Sequence, residues 1–297
     1  VTAATSSDTA QTTAIDSSPA FAFVRSLATE LSRGSIQLPG YPAVVSRIQR
    51  MLNDPNVDMG RMVSAIGNEP TIASQIVRMA NSAALNPQRV PAQDLSSAIT
   101  RVGLNSVRTA TVAFAMSQLR AAPELRGLET HIESLWRRSV QVASLAQAIA
   151  RRFTQLNSEA AMLAGLLQGT GRLYILSRAN QHRALFSDAA AYSNIEQTWH
   201  LNIAIALLES WEISPEIVDA VRDSEDTQRE SRGAATLSDV LMVAALLADF
   251  DGTPDLLQVQ VQSTRAFARL QLDFKTCEDF MTTTSQEVAS LREALSH

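Results

Sequence analysis

From Ala43 onward, apolar residues recur at three- and four-residue spacing. Val44, Val45, Ile48, Met51 and Leu52 form one stripe, Met62, Val63 and Ile66 a second, and Ile72, Ile76, Val77 and Ala80 a third. Asp54-Pro55-Asn56 breaks the first stripe, Asp58 is placed to cap the second, and Pro70 suits the first turn of the third. Upstream, Phe21, Val24, Leu27 and Leu31 predict a helix stopped by Gly34, followed by an extended strap holding Pro39 and Pro42. A short helix is predicted over 95–102, ending at Gly103. Asn105 is expected to cap a longer one through 119, before a break at 121–127 containing Pro123.

The second half repeats this texture. A long helix is predicted over 128–153, and Ser158 is expected to cap another that ends near Gly169 and Gly171. Further helices are expected over 171–178, 181–190, 195–212, 215–223, 236–250, 254–270 and 277–295, with Ser214-Pro215 as a cap and first-turn proline. No alternating run argues for a sheet and no fixed-period repeat stands out. Residues 1–18, rich in Thr, Ser and Ala, read as a disordered leader, and 224–233 as a polar, mobile surface loop.

Composition supports an all-α fold. Glycine (11) and proline (10) are scarce for 297 residues, and 45% hydrophobic content suffices for a large core. A single cysteine excludes an intrachain disulfide and a multi-cysteine zinc site, and four histidines leave little for imidazole chemistry. A net charge of -5 and 5% aromatic content disfavour nucleic-acid partners. All basic residues but Lys275 are arginine. The longest apolar run, over 240–248, falls well short of the ~18 residues of a membrane span. No basic residue precedes Arg25, so no signal peptide is expected, and the cytoplasm is the expected compartment.

Signatures of chemistry are sparse. There is no phosphate-cradling glycine loop, nucleophile elbow or paired-cysteine motif. Cys277 lies near a predicted helix start, which can lower a thiol pKa, although packing as a small hydrophobe is the plainer reading. His200 shares a stripe with Ala204, Leu207, Leu208 and Trp211 and reads as a half-buried histidine with one hydrogen bond. Arg137-Arg138 and Arg151-Arg152, 14 residues apart on one predicted helix, form either a basic stripe or a solvated, ion-paired face. Met62, Met79 and Met116 fall on apolar stripes and read as core.

Several short features then align in order: Leu38, Pro39 and Pro42; Glu69-Pro70; Ala80-Asn81-Ser82; Ile99, Arg101 and Gly103; Trp136; Gly165-Leu166-Leu167; His200; and Trp211. Together they resemble the HDOD family, the HD-related output domain, over about residues 36–225. The resemblance implies a degenerate relative of the HD metal-dependent phosphohydrolases. Those enzymes hold one or two metals with His and Asp ligands and cut phosphate esters with a metal-bound water. Where an active relative has a histidine after the tryptophan, this chain has Arg138. Where it has an adjacent His-Asp pair, this chain has Gln168 and Gly169. Asp223-Ser224 stand near a later histidine position, and His200 alone remains. A guanidinium cannot ligate a metal and Gly169 has no side chain, so no metal, cofactor or catalytic residue is expected.

The resemblance implies a bundle of helices with an N-terminal subdomain over 19–122, a degenerate HD-like subdomain over 123–235 and an extension over 236–297. It further implies a bacterial signalling output module that contacts other signalling proteins or a second copy of itself. Leu256, Leu257, Val259, Val261, Phe267 and Leu270 of the extension are expected either to serve such contacts or to complete the core. The alternative is a nucleotide-binding or residual phosphohydrolase domain, with Arg138 and Arg172 touching an anion in the former metal pocket. Failing that, Arg138 is expected to pair with a carboxylate such as Glu133 or Asp223, or simply to reach solvent.

Overall fold

The computed structural model describes residues 19–296, apart from 35, 37, 39–42, 55, 87, 121–124, 180–187 and 232. The leader, both strap prolines, Pro55, Pro123, most of the helix expected over 181–190, His182 and His297 lie outside the described residues. Among those described, the chain is helical with no strand, and no helix is long and apolar enough to cross a membrane.

The N-terminal helices are α1 (Pro19–Ser32), α2 (Ala43–Asn53), α3 (Met59–Gly67), α4 (Pro70–Asn81), α5 (Leu95–Val102) and α6 (Leu104–Arg120). Asp58 caps α3 by accepting from the Gly60 N–H at 2.8 Å, and Pro70 opens α4. The helix start assigned to Asn105 falls one residue early, so Asn105 lies in the first turn of α6 and does not cap it. Met62, Met79 and Met116 are buried, as their stripes require. Arg101 donates to the carbonyls of Ala80 (3.1 Å) and Val90 (2.7 Å). The Asn81 side chain accepts from the Ala92 N–H at 2.8 Å. The Ala-Asn-Ser turn and the arginine before Gly103 thus fasten the 82–92 loop, a structural job that accounts for both motifs.

The remaining helices are α7 (Glu129–Phe153), α8 (Ser158–Leu167), α9 (Thr170–Ala179), α10 (Ala189–Ser210), α11 (Pro215–Arg222), α12 (Leu237–Asp249), α13 (Pro254–Ser263), α14 (Arg265–Arg269) and α15 (Phe274–Ser296). Asn157, not Ser158, caps α8, accepting from the N–H groups of Glu159 and Ala160. The stretch expected as one helix over 254–270 breaks at Thr264, and α10 begins at Ala189 rather than 195. The axis of the molecule is α7, whose residues 142–150 are buried on every side because α8, α12 and α15 pack around it.

Two crossings are made at backbone contact. A Cβ on Gly165 would lie 2.5 Å from Ala143 Cα and 2.7 Å from its nitrogen, so α8 meets α7 with no side chain between them. A Cβ on Gly171 would overlap the His200 carbonyl oxygen, so α9 lies directly on α10. These contacts bring the α8–α9 junction up to both α7 and α10.

The C-terminal helices belong to the same core. Leu257, Phe267, Leu270, Phe280, Leu291 and Leu295 are buried, while Leu256 and Val259 remain more than half exposed. The last helix returns to α4, where the Gln75 side chain donates to the Leu295 carbonyl (3.1 Å) and Ser290 accepts from the Ala83 N–H (3.0 Å). Cys277 is buried in the first turn of α15. Burial, with Asp273 nearby, pushes its thiol up to about 12, the reverse of helix-end activation.

One buried carboxylate ties this region together. Asp239 is fully buried and accepts from Arg229 (2.9 Å) and from Arg269, with the Thr236 N–H at 2.8 Å. Burial alone would raise its pKa, but the bonds from Arg269, Thr236 and Arg229 outweigh that and hold it below the usual carboxylate range. Its contribution to stability is therefore present above the ordinary carboxylate pKa and is lost as pH falls through the lower folded value. Asp239→Asn should destabilise the protein by about 3–5 kcal/mol, because it leaves two guanidiniums short of their counter-charge. Urea unfolding from pH 7 down to 3 should show the gap to wild type closing toward acid. Gly171→Ala should cost at least about 3 kcal/mol by the same measurement, since neither backbone can move aside without its helix.

Candidate functional site

The residues singled out by sequence converge where α7, the α8–α9 junction and α10 meet. Arg138, in the third turn of α7, spans outward to the end of α12. Its Nε and Nη2 each donate to one oxygen of Asp249, both at 2.7 Å, while Nη1 donates to Gln168 Oε1 at 3.1 Å. The partner is thus Asp249, not Glu133 or Asp223. Asp223 is engaged by Arg229 (3.4 Å) and the Ser238 hydroxyl (3.3 Å). A fork-on-fork pair of this kind fixes both side chains in one plane.

His200, on α10, is 1% exposed. Its Nε2 is 3.2 Å from Glu225 Oε2 and 3.1 Å from Arg172 Nη2. A guanidinium only donates, and Arg172 already has carboxylate acceptors in Glu225 Oε1 (2.9 Å) and Glu196 Oε1 (3.5 Å). Nε2 is therefore the nitrogen that donates to Glu225, and among the described residues Nδ1 has no hydrogen-bond partner. Burial pushes Glu225 up. The hydrogen bond from His200 and the charges of Arg172 and Arg138 overcome this and hold it below the usual carboxylate range. His200 is thus fully buried, where a half-buried histidine was expected.

Glu225 belongs to the segment expected to be a mobile loop. Instead, Glu225 reaches back to α9 and α10, Arg229 reaches Asp239, and Arg265 pairs with Glu230 at 2.9 Å. The polar composition of 224–233 reflects ion pairing to the body, not freedom from it. Of the two readings of the α7 arginines, the ion-paired face fits Arg138 and Arg152, which meet Asp249 and Glu287. Arg151 donates to the Ala84 carbonyl at 2.6 Å, and Arg152 reaches Glu287 and Thr283.

The site was tested against a metal by its donors. Arg138 and Gln168 offer a cation and an amide, and the amide oxygen already accepts from Arg138. His200 Nε2 is occupied by Glu225. A Cβ on Gly169 would overlap the buried Ser139 hydroxyl, so an aspartate at that position needs Ser139 to move. Among the described residues, no group of three His, Cys, Asp or Glu side chains converges as a metal site requires. His131 is exposed on α7, about two turns before Arg138, and touches none of these groups in a metal-binding cluster. The residues present do not fit a metal. Sequence reasoning missed Glu196, Glu225 and Asp249, because each comes from a helix face or loop whose approach only the tertiary packing reveals.

A helical body with this junction at its centre defines an all-helical domain of the HD-like kind. The HDOD domain model matches residues 38–227, and the chain belongs to that family. A provisionally named metal-dependent phosphohydrolase from Shewanella amazonensis SB2B has a similar structure, with a TM-score of 0.74 and 23% identity over 93% of this chain and 99% of that one. A provisionally named signal transduction protein from Marinobacter aquaeolei VT8 superposes with a TM-score of 0.59 and 18% identity, over 95% of this chain and 68% of that one. In sequence, the chain is 21% identical over 279 residues to an uncharacterised protein of Treponema pallidum (strain Nichols), and it spans 52% of that relative's length.

Arg138→Met should lower stability by only about 1 kcal/mol, since the pair with Asp249 is partly solvated. Glu225→Gln should cost more, because it strips Arg172 and His200 together. The comparison is made by thermal unfolding at pH 7.

Proposed function

We propose that this chain is a non-catalytic signal-transduction module of bacteria that acts through contacts with other proteins. The observation that carries this reading is Arg138, a permanent cation held by Asp249 and Gln168 where an active relative has a metal-binding histidine. A fixed positive charge repels a divalent ion, and its bidentate partner leaves no open coordination position. The name of the Marinobacter structure supports the signalling half of the proposal. Anion binding by Arg138 and Arg172 is the weaker reading, because an incoming phosphate must displace carboxylates that both already hold.

For the contact surface, the proposal falls on α13, whose Leu256 and Val259 project into solvent three residues apart. Either another signalling protein or a second copy would cover them. Light scattering of wild type and of L256S/V259S separates these, since only self-association makes the mass fall in the variant.

The catalytic question is decided on the purified protein. Elemental analysis should find no stoichiometric transition metal, and bis(p-nitrophenyl) phosphate should not be turned over with added manganese or magnesium. Metal-dependent turnover that disappears in His200→Ala would overturn the proposal.

A further inference from the structure

A second polar centre lies away from Arg138, on the seam between the N-terminal helices and the turn joining α10 to α11. Arg108, on the inner side of α6, is half-buried in the wall of a cleft of about 370 Å³. Its acceptors are Gln49 Oε1 (3.0 Å), the Leu52 carbonyl (2.7 Å) and Asn53 Oδ1, all neutral. Among the described residues no carboxylate pairs with it, in contrast to Arg138, Arg172, Arg229 and Arg269. Burial without a counter-charge pulls its guanidinium below the ordinary arginine value. Beside it, the Gln49 side chain is 4% exposed and its Nε2 donor has no partner.

The rest of the cleft also offers donors. Ser214 stands at the N-cap of α11 yet makes no side-chain cap bond, which leaves its hydroxyl free. Asn105, in the first turn of α6, also lines the cleft. The first turn of α6 and the N-cap of α11 thus line the same space through Asn105 and Ser214. Leu163 and Ile213 supply an apolar floor. The opposing charge is Glu212 at the rim, whose Oε2 accepts from Asn53 Nδ2 at 3.0 Å.

We infer that this cleft binds a small oxyanion, the phosphate or carboxylate group of an organic ligand, through Arg108, Asn105 and Ser214. The guanidinium supplies the missing charge partner, the amide and hydroxyl supply neutral donors, and the apolar floor accepts the ligand's body. An occupant touches α6 and the α10–α11 turn at once, so binding fastens the N-terminal helices to the HD-like ones. The site is separate from the Arg138 and His200 cluster and does not depend on the function proposed for that cluster.

The test is thermal unfolding and calorimetry of the full chain with inorganic phosphate, GMP and citrate, each against sodium chloride at equal ionic strength. At least one oxyanion should raise the unfolding temperature in a saturable way that chloride does not reproduce. Phosphate alone separates a free-anion site from one that needs the organic body of GMP or citrate. Arg108→Met should weaken binding about tenfold or more. If that variant folds poorly, Asn105→Ala and Ser214→Ala, both at the cleft surface, should weaken it by smaller factors. Glu212→Gln should tighten it, because a like charge leaves the rim while the bond to Asn53 keeps an acceptor. No saturable effect from any of the three anions overturns the inference. Binding that is indifferent to Arg108, Asn105 and Ser214, or weakened by Glu212→Gln, does so too.

Discussion

Everything at the centre of this molecule depends on two places where helices touch through their backbones. Gly165 on Ala143 and Gly171 on the His200 carbonyl set α8 against α7 and α9 against α10 with no side chain between. Helix axes usually lie 8–10 Å apart because side chains intervene. Removing the side chain at both crossings lets the short α8–α9 junction reach two neighbours at once. Gln168 can then accept from Arg138 on one side while Arg172 meets His200 on the other. Larger residues would separate the helices and scatter these groups.

Within that frame, charge is handled by pairing across elements far apart in sequence. Arg138 reaches Asp249 across 111 positions, and Arg172 reaches Glu225 across 53. Each such pair closes a long loop of chain, so its value is less in the modest Coulomb energy of a solvated pair than in specifying which helix lies beside which. Asp239 is the buried extreme, where two arginines are needed to offset desolvation. Arg108 departs from the pattern, since its acceptors are all uncharged and do not neutralise it.

The helices were legible in sequence because their apolar stripes and breakers are local features. Asp58 and Pro70 act where they stand, and α7 follows from its pattern over 128–153. Where two residues compete for a cap the sequence is ambiguous, and Asn157 displaces Ser158 because its side chain reaches two N–H groups. Polar stretches also hide helix bounds, so α10 starts at Ala189 and the 254–270 stretch breaks at Thr264. The family resemblance located Arg138, Gln168, Gly169, Arg172 and His200, and the fold draws them together. It could not supply their partners. Glu225 sits in a stretch whose polarity is the same whether it is solvated or pinned, and Asp249 ends a helix whose preceding residues, 240–248, are all apolar. Partner choice is a property of packing, which leaves no periodic trace in the chain.

The use of arginine for all but one of the basic residues has a consequence in solution chemistry. Lysine loses its proton in moderately alkaline media, whereas the delocalised guanidinium keeps its charge well beyond them. A framework of carboxylates held by guanidiniums therefore has only one titratable half. Acid can discharge it by protonating carboxylates such as Asp239 and Glu225, but ordinary base has nothing to remove. The fold is thus electrostatically asymmetric, vulnerable to low pH and indifferent, in its ion pairs, to high pH.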